Sequence, residues 1–230
     1  MLVSAAVCPH PPLLLPGLTG SADVGAPLRA TCVQAVEEAL APGPERVVLV
    51  GGADSTRTWA STASVDGSAY VGRSSSAPAG SRLPLSLSVG RTLLDASSWS
   101  GDVVLQSVAV DTAPEECGRL GAALVEGSAT TLLVMGDGSA RRGLKAPGYL
   151  DERAFAFDDR AAQALSSADV ETLSALDPGA AAELLVAGRA PWQVLAGALG
   201  RPAAGRLLLA DDPFGVLYLV VTWRTSGCAR

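Results

Sequence analysis

The sequence predicts an α/β fold: one domain spanning 1–230, with a mostly parallel central sheet, helices on both faces and a C-terminal strand pair. Three observations predict it. Short apolar runs alternate along the chain with segments of helical period. Several of these runs end in glycine or proline loops, as the buried strands of parallel sheets do. The segment 205–223 holds two apolar runs separated only by a turn, which makes them an antiparallel pair. No composition break marks a linker, and no internal repeat is present.

The first run, "LVSAAV" at 2–7, stops at prolines and reads as a buried strand. Residues 24–41 place Val24, Leu28, Cys32, Val36 and Leu40 at near-helical spacing, and Pro42-Gly43-Pro44 ends them. "RVVLVGG" at 46–52 is β-branched and runs into glycines, the pattern of a central strand. Residues 53–82 are rich in Ser, Thr, Ala and Gly. They predict a long irregular excursion with one strand at "AYVG", 69–72.

Regular alternation then resumes. A helix is expected over 86–97 and a strand over 102–110. The helix over 114–126 opens with Pro114, Glu115 and Glu116, as helix N-termini favour. A strand over 130–139 enters a glycine loop, and an amphipathic helix follows over 151–166. Shorter helices are expected over 169–176, 179–187 and 191–199. The closing strands flank Asp211-Asp212-Pro213-Phe214-Gly215.

The chain is acidic, with a net charge of −6. It offers no basic surface for nucleic-acid phosphates. Only Lys145 is a lysine among 17 basic residues, a bias expected of GC-rich coding rather than of function. No apolar run reaches the length of a membrane span, and no basic n-region precedes the first apolar run. Cys8, Cys32, Cys117 and Cys228 are scattered, with no CxxC pair. Free thiols in a cytoplasmic protein are the expectation.

Ligands of such sheets collect beyond the carboxyl ends of the strands. Four of those ends carry polar groups: Cys8-Pro9-His10-Pro11-Pro12, Gly51-Gly52-Ala53-Asp54-Ser55, Gly136-Asp137-Gly138-Ser139-Ala140-Arg141-Arg142, and Asp211-Asp212. His10 is the single histidine of the chain. Each end also has a plain structural reading. His10 can be an exposed residue of a proline turn. Asp54 can cap the next segment, and Asp137-Gly138 and 211–215 are turn sequences. The glycine loops match neither the P-loop nor the dinucleotide fingerprint, and no G-x-S-x-G marks a serine nucleophile. Arg141, Arg142 and Lys145 concentrate positive charge in an acidic chain. They read either as a solvated basic loop or as an anion clamp beside Asp137 and Ser139.

At these loops the chain resembles the class III extradiol dioxygenases of the LigB type. The likeness spans nearly the whole length. It rests on "PHPPLLLPGL", "VVLVGGADS", "VMGDGSARRGLKAPGYLDERAFAFD" at 134–158, "AAELLVAGRAPWQVLAGAL" at 181–199 and "DDPFGVLYLV" at 211–220. The resemblance implies a divalent metal, Fe(II) in the family, held by two histidines and a glutamate with positions left open. His10 matches the first ligand. The second falls near Ala53 and Asp54, where only Asp54 can bind metal. The carboxylate falls at Asp211, and the acid/base histidine at Ala140. Tyr149, Asp151 and Glu152 resemble the family's support for the loop. Three readings stay open: a cleft that binds a small anionic or aromatic ligand without ring cleavage, a re-purposed enzyme using a metal on His10, Asp54 and Asp211, and a structural subunit. A homo-oligomer is compatible with each.

Overall fold

The computed structural model describes residues 1–15, 18, 23–65 and 82–227. The expected strand at 69–72 and Cys228 lie outside them. Seven strands form one sheet in the order β3-β4-β2-β5-β1-β7-β6. Their ranges are β1 Leu2–Cys8, β2 Arg46–Ala53, β3 Arg57–Trp59, β4 Asp102–Ala109, β5 Thr130–Met135, β6 Ala203–Asp211 and β7 Tyr218–Thr225. The four strands β4, β2, β5 and β1 are parallel neighbours. At one edge β3 runs antiparallel to β4. At the other, β7 runs antiparallel to β1, and β6 antiparallel to β7. The sheet is therefore parallel at its centre, and the C-terminal pair forms as expected.

Among the described residues seven α-helices flank it: α1 Ala26–Leu40, α2 Leu85–Asp95, α3 Pro114–Leu124, α4 Arg153–Ser167, α5 Val170–Ser174, α6 Pro178–Glu183 and α7 Arg189–Ala198. The pleat sorts the core into two halves, because successive side chains leave opposite faces. Val48, Val50, Leu132, Val134, Leu219 and Val221 pack with buried residues of α3 to α7. Val47, Leu49, Leu133, Met135 and Val220 pack with α1 and α2. Strands buried on both faces account for the near-continuous apolar runs in the sequence.

Two local departures have physical causes. The excursion after β2 contains the short edge strand β3, where the Arg57 guanidinium lies 3.4 Å from the Trp59 ring centroid. Three residues, two of them polar, carry too little periodic signal to be read beforehand. The first helix starts at Ala26, not Val24, because Pro27 sits at its first turn, where a missing N–H costs nothing. No helix among the described residues is long and apolar enough to cross a membrane. Cys8, Cys32 and Cys117 are buried free thiols.

The helices α3 and α7 make direct backbone contact. A Cβ on Gly121 would fall 1.9 Å from the Val194 carbonyl oxygen, and one on Gly197 would fall 2.3 Å from that of Gly118. Backbone cannot yield as a flexible side chain can. Gly121→Ala is expected to push the helices apart and cost about 1–3 kcal/mol. Urea denaturation checks this: the midpoint falls while the slope stays unchanged.

Candidate functional site

The carboxyl ends of β1, β2, β5 and β6 lie at one end of the sheet, since all four strands run the same way. At the exit of β1 the run Pro9-His10-Pro11-Pro12 has a single backbone N–H, that of His10, because proline has none. That N–H donates to Asp137 Oδ1 at 2.8 Å. His10 is 9% exposed, so it is not a surface residue of a loose turn. Its ring Nδ1 lies 3.6 Å from the same oxygen, beyond hydrogen-bond reach, and is buried with no other partner. Asp137 thus fixes the β1 exit to the β5 exit.

Next to this pair lies a buried charge network that the sequence did not reveal as such. The Asp158 side chain is fully buried on α4. Its carboxylate accepts the Ser139 N–H at 2.9 Å and the Ser139 hydroxyl at 2.6 Å. Arg142 donates to it from Nη1 at 3.2 Å and to Asp212 from Nε at 2.6 Å. The same guanidinium stacks 4.6 Å from the Phe155 ring centroid. Burial pushes the Asp158 carboxyl up from its ordinary value, opposed by the Ser139 bonds and by Arg142. Burial also works against the Arg142 cation. The bonds and charges of Asp212 and Asp158 outweigh it and raise that group's pKa.

The backbone joins the same two loops. Gly138 N–H donates to Leu217 O at 2.8 Å, Leu217 N–H to Ser139 O at 3.0 Å, and Arg142 N–H to Gly215 O at 3.0 Å. The turn itself closes with Gly215 N–H on Asp212 O at 2.9 Å, and Gly215 takes a φ of +71° that a side chain would strain.

Several expectations change here. The residues of the expected anion clamp turn first to protein partners. Ser139 is fully buried and spends both donors on Asp158. Arg142 is spent on two carboxylates, Arg141 bonds the Gly148 carbonyl while its Nε stays buried without a partner, and Lys145 is exposed. His10, Asp54 and Asp211 do not form a metal centre. Among the described residues no three His, Cys, Asp or Glu side chains come together so as to hold a metal ion. The reason is spatial. Four strand spacings, about 19 Å, separate the exits of β2 and β6. The segment around Ala187 and Pro191 also lies over Gly52, beside exposed Asp54. The donor set therefore does not fit the Fe(II) site that the resemblance implies. Ala140, at the acid/base position, gives its N–H to Leu184 O at 3.2 Å and has no side chain to exchange a proton. Asp151 and its partner Arg153 support the loop, with Asp151 N–H on Arg141 O at 3.0 Å.

A groove of about 260 Å³ opens at this end of the sheet, between α1 and the β6–β7 turn. Leu13, Pro27, Leu28, Leu209 and Phe214 supply apolar walls. Tyr218 and Asp211 are its main polar groups. Tyr218 is 3% exposed, and burial together with the nearby Asp137 charge pushes its phenol up to about 12. It therefore stays a neutral hydroxyl at physiological pH.

Because its folded pKa is raised, Asp158 keeps its proton at pH values where the unfolded chain has lost one. Its proton-linked contribution to stability is full below about pH 4, the unfolded value, and is lost as pH rises through the folded value. Asp158→Asn removes that dependence. The stability deficit of the variant is therefore expected to be largest near pH 4 and to narrow toward neutral pH. Denaturant unfolding across that range measures it.

No known family profile matches the sequence, and no curated protein matches it. Among solved structures, the chain is similar to an uncharacterized protein from Escherichia coli K12, JW3007. The two are 14% identical, the match covers 96% of this chain and 99% of that one, and the TM-score is 0.53. At that identity the likeness establishes a shared fold and nothing finer.

Proposed function

We propose that the chain is a divergent relative of the LigB-type extradiol dioxygenases that binds a small ligand in the cleft at the carboxyl end of the sheet and does not cleave catechols. The observation that carries this reading is the pairing of an apolar groove with a disassembled ligand set. The groove keeps a volume suited to a one-ring molecule. The residues that would hold and serve a redox metal beside it have been replaced or dispersed.

The chemistry argues the same way. Extradiol cleavage needs redox-capable iron with open positions and a base for the phenolic proton. Alanine cannot act as that base, and its loss alone lowers rates by about 10²–10⁴-fold. The imidazole of His10 is left with Asp137 as its one acidic neighbour. What remains suits recognition: a tyrosine hydroxyl, a carboxylate at the rim and apolar walls, the usual make-up of a small-molecule site.

Anaerobic reconstitution with Fe(II), followed by catechol and O₂, tests the reading. No yellow ring-opened product is expected. Turnover near one per second, within the ordinary enzyme range, overturns it.

A further inference from the structure

Within the groove proposed above as a binding site, the geometry points to a specific ligand class: a small aromatic amine in its protonated form, with its ring between α1 and the β6–β7 turn and its ammonium on Asp211 and Tyr218. This assignment rests on the ligand-binding reading of the cleft and adds the charge that the ligand carries.

Asp211 and Tyr218 are directly opposed in the β6–β7 ladder. Opposed residues of an antiparallel pair share a sheet face, with Cβ atoms about 4.5–5.5 Å apart. Both line the groove, so that face is the one turned to α1. Tyr218 is almost wholly buried as a residue, but its hydroxyl is not one of the buried atoms left without a partner, so it opens to solvent at the groove and is free to bond what enters there. It can accept from an ammonium while Asp211 supplies the opposite charge.

Charge decides between ligand classes. Asp211 is the one charged residue in the lining. Its carboxylate takes the neighbouring Asp212 N–H at 2.9 Å and has no cation partner among the described residues. The cations nearby are engaged elsewhere. Arg142 bonds Asp212 and Asp158, and Arg29 bonds Asp23 at 2.8 Å and the Leu14 carbonyl at 3.1 Å. An anion entering the groove would meet an unpaired carboxylate and, among the described residues, no cation in the lining. An ammonium would meet its complement. The apolar walls require that the rest of the molecule be hydrocarbon, and a single ring fits the volume.

Three probes of matched size separate the possibilities: 2-phenylethylamine, 2-phenylethanol and phenylacetate. Calorimetric titration of the full chain at low salt is expected to rank the amine first. Its preference over the alcohol should be about three- to fivefold, the range of an exposed ion pair. High salt should erase most of it. Asp211→Asn should bring amine and alcohol to within about twofold, and the variant will fold because Asp211 is exposed. Tyr218→Phe should weaken both probes while leaving their ratio intact. Equal binding of amine and alcohol, unchanged in Asp211→Asn, overturns the charge assignment while leaving a ligand-binding cleft in place. Tighter binding of phenylacetate overturns it in favour of an anion. No detectable binding of any probe at 10 mM, a concentration at which even weak affinity registers, also overturns it. The iron and catechol assay then judges the broader reading independently.

Discussion

The burial of one carboxylate, Asp158, organises the end of the molecule where ligand chemistry is expected. A charge removed from water needs bonds from every side. Here the bonds come from the loop after β5, through Ser139 and Arg142. Arg142 bonds Asp212 as well as Asp158, and this carries the constraint to the β6–β7 turn. The turn in turn sets where Asp211, Phe214 and Tyr218 stand around the groove. An internal helix residue thus fixes the rim of a surface site through one guanidinium. Removing one member of such a network generally costs about 3–5 kcal/mol, because the partner is left charged and unpaired.

Much of the fold was legible because the sheet is buried on both faces. Strands of that kind leave apolar runs with sharp ends, and β1, β2, β4 and β5 each leave one. The amphipathic stripe of α4 was equally plain. One member of that stripe is a carboxylate. Ala154, Asp158, Ala161 and Leu165 share its buried face. An acid at a core position in such a stripe is the signal that could have exposed the network, since burying a lone charge is prohibitively costly. Arg189 is a similar case: it sits in the apolar α7 and is buried, donating to the Thr112 carbonyl and, at 2.9 Å, to Gln193.

The site was less legible, for reasons of register and distance. Listing strand ends places His10, Asp54, Asp137 and Asp211 on one side of the sheet, which the fold bears out. It does not say how far apart they stand. That depends on strand order: β5 stands between the strands that carry Asp54 and His10, and β7 between those that carry His10 and Asp211. The link between Asp211 and Tyr218 depends on a finer detail. The β6–β7 ladder slips between Leu207 and Leu209, so Leu208 is an extra residue in β6. Without that bulge Ala210 would stand opposite Tyr218, and Asp211 would turn to the other face. No composition or spacing rule foretells a bulge.

The amide and the ring of the single histidine need separate explanations. In Pro9-His10-Pro11-Pro12 the only backbone donor belongs to His10, and Asp137 takes it. Any residue but proline could supply that N–H, so the amide explains the turn and not the imidazole. The ring is nonetheless enclosed, with Nδ1 unpartnered and the Asp137 carboxylate just beyond bonding distance. A buried ring nitrogen without a partner carries a desolvation cost. Asp137 is the shared element: it anchors the His10 amide, faces the imidazole and places negative charge near the Tyr218 phenol. Asp137 therefore sets one negative charge beside both the imidazole and the phenol. A ligand carboxylate or phenolate brought close to these two rings would be opposed by that charge, whereas a cation would be drawn by it.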